Sequence, residues 1–586
     1  MALNNNVKIS QVELTNTQKH SCILLADNTV DCFENDKYKV TVLGHLRAYN
    51  QAQKIDAKYV ASLYQGDIDA LYEKIAGQFI VFIYDKQTNQ LFVFNDHMAT
   101  MPCYYYKEND SIWFSLSLQY IKNIAKDNLV ISNQAIFNYC YFHCIPAPTT
   151  IYHSVYKLDS SELLAIEQNS ITRKGTLYRP HFAQKSTIDS AHERCLDTVR
   201  DMVAFHGDDA NIGAFLSGGL DSSTVAGVLS DIKSKTGEKA RTFSVGFDEQ
   251  GYDETYFAEL SAKHFATEHQ TSYLQAEYIS ENFVKVASAF DEPFGNSSAL
   301  AAFYCASFAK EHGITTLLAG DGGDEIFAGN SRYAKQKLFR PYELLPNIGQ
   351  SLCKQVFLNT PLKKVPVAKK LASYIEQADT PLPDRLQSYN FLHRFSPSEI
   401  FTADFLKDVD QGLPLEQLRE RYQQSGSSNA IDSMLYMDWK FTLADNDLIK
   451  VSKMCEMAGV TVKYPLLEKE LVDFSCKIPA SEKLPGNKLR DFFKKSMKNF
   501  LADETLSKPK HGFGLPFGRW MRTTPSLIAL TEQSLQQLKH RNIIQAQFID
   551  KVLEMQKNEH SAYYGELIWI LTVLELWLGQ RDDELC

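Results

Sequence analysis

After an apolar run at residues 212–216 (IGAFL), the chain reads Ser217-Gly218-Gly219-Leu220-Asp221-Ser222-Ser223 and then enters a helix-forming stretch near Ser222. The two glycines allow a tight turn that presents backbone N–H groups, and a helix N-terminus adds positive potential. Hydroxyls of Ser217, Ser222 and Ser223 can donate to phosphate oxygens. The Asp221 carboxylate suits Mg²⁺, a hard cation that bridges carboxylates to phosphates. A serine-glycine turn that merely caps a helix is the plain alternative, but a strand before and a helix after are the setting that a phosphate loop requires. The loop lacks the Gly-Lys-Ser/Thr ending of a Walker sequence, so γ-phosphate transfer is not expected. It is not a Gly-x-Gly-x-x-Gly dinucleotide loop either.

A second polar cluster, Ala319-Gly320-Asp321-Gly322-Gly323-Asp324-Glu325, ends another apolar run, ITTLLA at 314–319. Three carboxylates within five residues repel one another unless a cation or ligand offsets them. At the C-terminal end of a parallel strand they would face the usual ligand crevice.

The surrounding pattern says how these loops are held. Apolar runs at 212–216, 241–247 and 314–319 alternate with longer helical segments, which implies βαβ units and a parallel sheet. Beyond about residue 335 helix dominates, with a polar loop at 423–429. The most apolar late stretch, 567–578, reads as a buried helix. It is interrupted by Glu575 and too short to span a bilayer. Residues 1–180 read differently. Runs at 78–84 and 90–95 flank the polar turn 85–89 as a hairpin. Further strands are expected near 102–106 and 111–115, and a helix between Asp56 and Ala76. The expected domains are 1–180 and 185–586.

Composition is that of an ordinary globular protein, 44% apolar and 23% charged, and a formal charge of −10 argues against nucleic-acid wrapping. The eleven cysteines, from Cys22 to Cys586, form no C-x-x-C pair, so buried thiols in a reducing compartment are expected rather than zinc or disulfides. Cys103 and Cys305 read as core thiols, the run Tyr104-Tyr105-Tyr106 as strand packing, and His264 and His269 as packing or surface groups. No signal segment follows Met1, so a cytoplasmic protein without a membrane or nucleic-acid partner is expected.

The two loops belong to a longer ordered series. It includes Phe243-Ser-Val-Gly-Phe247, Tyr252-Asp-Glu254, Asp291-Glu-Pro-Phe294 with Ser297-Ser298, Lys450-Val-Ser-Lys453 and Tyr464-Pro465-Leu-Leu467. It closes with Lys508-Pro-Lys-His-Gly512-Phe-Gly-Leu-Pro516 and Trp520. Over nearly all of residues 185–580 this series resembles the asparagine synthetase family. The resemblance implies a PP-loop (adenine nucleotide α-hydrolase-like) α/β domain that uses ATP and Mg²⁺ to form an acyl-adenylate, which an amine then attacks. It further implies nucleotide contacts at Leu216, residues 217–223, Val245, Ala319 and Gly320, and Mg²⁺ at Asp221 and Asp324. Asp321 takes the place of the acidic residue tied to adenylate formation and amine entry. Asp447 and Lys450 fall where the family has a substrate-recognising acid and an arginine. The pyrophosphate-facing lysine falls between Asn487 and Arg490, with Lys488 and Arg490 both open.

The front domain resembles the glutaminase half of the same family, an N-terminal-nucleophile αββα fold, through residues 75–85, Asn95-Asp96 and Pro102-Cys-Tyr-Tyr105. That half uses a cysteine at the new N-terminus, whose own amine serves as base. Here Ala2 follows Met1, Cys22 and Cys32 lie too deep in the chain, and Leu43-Gly44-His45 replaces the glutamine-pocket Asn-Gly-Glu. Asp96 remains. A retained scaffold is expected, with ammonia or another amine coming from solution, from the substrate or from a partner protein. A homodimer is also open. Intramolecular closure, of the β-lactam synthetase or lasso peptide cyclase type, is an alternative chemistry, and a non-catalytic scaffold an alternative class.

Overall fold

The structure, a computed structural model, describes residues 10–15, 21–26, 30–207, 209–249, 251–357, 366–388, 390–509 and 514–581. Of the positions singled out above, Ala2, residues 510–513 and Cys586 lie outside the described residues.

Eleven strands build the front of the described chain. They are β1 (Ser10–Glu13), β2 (Ser21–Ala26), β3 (Asp31–Glu34), β4 (Tyr38–Ala48), β5 (Ile75–Asp85), β6 (Gln90–Asn95), β7 (Tyr104–Glu108), β8 (Ser111–Ser115), β9 (Val155–Lys157), β10 (Glu162–Glu167) and β11 (Ser170–Thr176). They form two sheets, ordered β1-β2-β8-β7-β9 and β11-β10-β6-β5-β4-β3. Alternating apolar residues from both, among them Leu24, Ile80, Phe82, Val93, Tyr105, Phe114 and Leu164, interdigitate as a dry core between the sheets. Helices Ala57–Leu63 and Ile68–Tyr72 cover the outer face of the six-stranded sheet, and Leu118–Ala125 covers the other sheet. This is the αββα sandwich expected of the front domain. Two short helices, each with an aspartate N-cap at Asp56 and Asp67, replace the single helix read between Asp56 and Ala76. The β5–β6 hairpin turns at Asp85, whose Oδ1 accepts from Gln87 N and Thr88 N.

The second unit holds a parallel five-stranded sheet of β12 (Ile212–Phe215), β13 (Arg241–Phe247), β14 (Glu268–Leu274), β15 (Thr316–Leu318) and β16 (Thr461–Lys463), ordered β14-β13-β12-β15-β16. The chain runs outward from β12 in one direction and, from β15, in the other. The crevice between β12 and β15 is therefore the switch point where open α/β sheets bind ligands. Both polar loops leave the sheet there. Helix follows to the end of the described chain and includes the buried Ser561–Leu578.

A charged seam joins the units. Arg47 on β4 donates to Glu468 and Glu470, three contacts of 2.5 Å each, and its guanidinium lies 4.1 Å from the centre of the Phe205 ring. Lys157 on β9 meets Glu292 at 2.9 Å, and Asp291 accepts from Ser117 Oγ at 2.7 Å. The Asp291-Glu292 pair therefore joins the two units. His269 lies in β14, bonded to Thr242, and His264 Nε2 lies 2.9 Å from the Phe500 carbonyl, so both histidines serve packing.

Candidate active site

Helix Leu220–Ser234 starts two residues earlier than the sequence suggests, because Gly219 takes the extended N-cap position and the chain turns at Gly218, where φ is +67°. A side chain at Gly218 would strike the backbone of Phe257. The first-turn N–H groups of this helix point along its axis toward the crevice. On the facing strand end, Gly320 lies against the Asp221–Ser222 backbone, where a Cβ would come within 2.7 Å of Ser222 N. The two loops thus touch through backbone, which only glycine permits.

Between them lies a cavity of about 770 Å³. One end is apolar, lined by Leu216, Phe243, Val245, Ala301 and Cys305. The other carries Asp221, Asp324 and the cations Lys488, Arg490, Lys494 and Lys508. A third group, Asp321, Glu325, Asp447 and Lys450, closes the floor. Helices Asp491–Ser496 and Asp503–Ser507 bring the cationic side over the loops.

Arg490 sits at the centre. Its Nη1 donates to Asp221 Oδ1 at 2.6 Å and its Nη2 pairs with Asp324 Oδ1. One guanidinium thus holds together the two carboxylates that the family resemblance pairs as metal ligands. Gly329 makes room for this, since a Cβ there would meet both Asp324 Oδ1 and Arg490 Nε. Lys488 lines the same wall.

Asp447 and Lys450 come from a helical stretch that widens over Trp439–Asp447 into a π-helix, a feature common at functional sites. Three residues apart, they share a face, and Lys450 Nζ donates to Asp447 Oδ1 at 2.7 Å. Burial alone would lower the Lys450 pKa, but Asp447 and Asp321 overcome it and hold the ammonium protonated. Burial pushes Asp321 up to about 6, reinforced by Asp447 and Asp221 and opposed by Lys450. Glu325 is pushed up to about 8, by burial first and then by the Asp447, Asp438 and Asp221 carboxylates, against Arg332.

The Glu325 shift has a stability consequence of definite sign. Its folded value of about 8 lies above the ordinary 4.5, so between those values the native state binds more protons than the unfolded chain. Stability from this group is full below pH 4.5 and falls as pH rises toward 8. Glu325→Gln is expected to raise the melting temperature at pH 8 and leave it unchanged at pH 4.5. Calorimetry at the two pH values checks this, and equal shifts at both would contradict it.

Ser223 corrects the sequence reading. Its Oγ lies 2.9 Å from Ser261 Oγ in the core, and its N–H donates to Gly219 O, so it offers no donor to the cavity. At the fourth position of the helix the side chain has already turned inward. Gly218 and Ala319, expected as nucleotide contacts, are corrected as well: neither lines the cavity, Gly218 making the turn into the helix and Ala319 N donating to Lys463 O within the sheet. Ser217 and Ser222 face the cavity and lie 3.0 Å apart through their hydroxyls. Two cavity residues were not singled out from sequence as site groups, although both stand in its motif series. Lys508 Nζ donates to Ser217 O and to Glu254 Oε2, tying the loop's first residue to the far wall.

In the front domain, Asp96 is fully buried and accepts from Phe79 N, Met98 N, Thr100 N and Thr100 Oγ1. These bonds fix the β6–β7 corner. Cys22 is buried in β2 with its thiol pushed up to about 12 by burial, and Cys32 lies on β3. Ten cysteines are free among the described residues, with Cys103, Cys140, Cys144 and Cys305 buried. Among the described residues, no helix is long and apolar enough to cross a membrane, and no group of three or more His, Cys, Asp or Glu could hold a metal.

Comparison with known proteins matches both units. The asparagine synthase family model covers residues 195–579, and a glutamine amidotransferase domain model covers residues 45–178. Asparagine synthetase [glutamine-hydrolyzing] 1 of Bacillus subtilis (strain 168) is 24% identical over 528 residues, 89% of this chain and 80% of that one. A putative asparagine synthetase 2 of Methanocaldococcus jannaschii is 27% identical over 412 residues, 68% of this chain and 76% of its own. A putative asparagine synthetase of Mycobacterium tuberculosis (strain ATCC 25618 / H37Rv) is 21% identical over 531 residues, 86% of this chain and 76% of its own.

Proposed function

Because this chain belongs to the asparagine synthase family, we propose that it is an ATP-dependent amide ligase that activates a carboxylate as an acyl-adenylate and passes it to ammonia or an amine. The observation that carries this reading is the junction of the 217–223 loop and the 320–325 loop at the switch point, with Arg490 across Asp221 and Asp324.

The donor set fits ATP and Mg²⁺. The apolar end takes a purine, the helix N-terminus with Ser217 and Ser222 takes phosphate oxygens, and the cations opposite take a leaving diphosphate. Mg²⁺ asks for one or two carboxylates, the remaining ligands coming from phosphate and water. Asp221 and Asp324 would hold it, and the bound ion would screen charge on the phosphates. The substrate carboxylate attacks the α-phosphorus and pyrophosphate leaves. The amine then attacks the acyl carbon, AMP departs, and one amine proton is lost. Asp321, ionised above about pH 6, is placed at the floor to accept that proton. Arg490 and Lys488 offset charge as the diphosphate departs, with Arg490 positioned by both carboxylates.

Nitrogen is supplied as free ammonia or an amine, without glutaminase activity of the chain itself. The Cys22 thiol is buried, Cys32 sits mid-strand, and Asp96 is consumed by backbone N–H groups. Pyrophosphate release should require both ATP and the true carboxylate, and glutamine should support it at least about a hundredfold less well than ammonium. A screen of carboxylates with each nitrogen source, followed by mass analysis, checks both. Stoichiometric glutamate formation would reject the ammonia-dependent reading, and failure to bind ATP would reject the ligase itself.

A further inference from the structure

We infer that the surface formed by residues 335–357 and 369–371 docks this protein on an anionic lipid bilayer. The chain leaves the active site at Gly329 and runs into helix Asn347–Phe357, which packs beside Pro366–Asp379. A small core of Phe339, Tyr342, Ile375 and Ala378, with Cys353 and Phe357 against it, holds the two helices together. The opposite face of the first helix carries Ile348, Leu352 and Val356 at successive four-residue steps, a single stripe.

Ile348 and Leu352 in this row are exposed to solvent. Ile348 is 77% exposed, Leu344 73%, Leu338 56% and Leu352 55%. Among the described residues, seven of the thirteen exposed large hydrophobic ones fall within residues 338–371. A concentrated apolar surface of this kind is a docking surface.

Charge decides what it docks on. Although the chain as a whole is −10, Lys335 and Arg340 in the segment before the first helix and Lys369 and Lys370 on the second lie exposed. Nearby acids are largely neutralised within the fold: Glu343 pairs with Arg385, and Asp379 with Lys354. Glu376 is the further exposed acid on the second helix. A second copy of this chain would set these cations against one another. Protein partners favour aromatic and Arg anchors and are poor in Lys, whereas this face is aliphatic and mostly Lys. Nucleic acid would call for an aromatic stacking platform, and the exposed row is aliphatic. A short helix with exposed aliphatics, and lysines in the neighbouring segments, suits the plane of an anionic interface.

The sequence suggested no membrane partner because no segment spans a bilayer, but peripheral docking needs no span. The surface is also fixed relative to the catalytic cavity. Lys337 Nζ donates to the carbonyls of Leu484 and Gly486, the latter at 3.0 Å, at the start of the loop that carries Lys488 and Arg490. Docking would therefore hold the cationic rim of the site at a set orientation to the bilayer.

Co-sedimentation of the full chain with vesicles tests the proposal. Binding to vesicles with about 30% phosphatidylglycerol should exceed binding to pure phosphatidylcholine by at least about tenfold, and about 0.5 M salt should weaken it. Ile348→Glu with Leu352→Glu, and separately Lys369→Glu with Lys370→Glu, should each cut anionic-vesicle binding by at least about tenfold while melting stays unchanged. Val284→Glu, at an exposed apolar site elsewhere, should leave binding as it was. No binding to anionic vesicles, or equal binding by the variants, overturns the inference. So does a wild-type dimer that the Ile348/Leu352 variant splits, or binding of a nucleic acid in preference to vesicles.

Discussion

Asp221→Asn is expected to lower the rate of pyrophosphate release by about 10²–10³-fold. The asparagine keeps the size of the side chain and can still meet Arg490, so the change is close to one of charge alone. Removing the charge of one of two carboxylates weakens the hold on Mg²⁺ and leaves Asp324 as the charged partner of the guanidinium. The apparent Mg²⁺ requirement should therefore rise by at least about tenfold as the rate falls. Because Asp221 and Asp324 share one cation, Asp221→Asn combined with Asp324→Asn should cost little more than the single change. Steady-state assays across a magnesium series read both effects. A variant with full rate and unchanged magnesium dependence would remove Asp221 from the proposed metal site.

The second large effect is expected far from the chemistry. Arg47→Met should destabilise the protein by about 3–5 kcal/mol, because it takes the guanidinium away from two buried carboxylates and leaves Glu468 to His206 alone. The pH dependence has a definite sign. Burial would raise the Glu468 pKa, but His206 and Arg47 outweigh it and hold the group at about 2. A carboxyl depressed below its ordinary 4.5 contributes stability that is present above pH 4.5 and lost as pH falls toward 2. Without Arg47 the folded value rises, so the acid-side loss should begin at higher pH and neutral-pH stability should drop. Calorimetric melts from pH 3 to 8 would show it. A variant as stable as the parent at neutral pH would mean that the seam is hydrated and loosely coupled. Two unfolding transitions, one for each unit, would show which side of the seam carries the cost.

How far the site could be read in advance varies from residue to residue. Where the information is local, sequence reasoning reached it. The hairpin of β5 and β6 follows from two continuous apolar runs around a polar turn, and β13 from Phe243, Val245 and Phe247 alternating with small or polar residues, in a run whose ends match the structure. The 217–223 loop declared itself by glycines and hydroxyls between a strand and a helix. Glu254 and Lys508 were visible only as members of an ordered series. Nothing in their own neighbourhoods shows that they meet each other across the cavity, because they are more than 250 residues apart.

Local pattern by itself determined the strand-loop-helix unit, the acidic strand end and the helical second half, since backbone propensity and apolar period act over a few residues. Tertiary structure decided the rest. Edge strand β14 (EHQTSYL) is polar and half-exposed, with no alternation to reveal it. β16 has three residues inside a helical half and becomes a strand by pairing with β15, about 140 residues earlier. Ser223 turned inward because the helix began earlier than its residues suggested. Arg490 found Asp221 and Asp324, and Arg47 found Glu468 and Glu470, through contacts spanning hundreds of residues. A charge can be read from one position, but its partner is set by where the packed sheets and helices bring distant chain together.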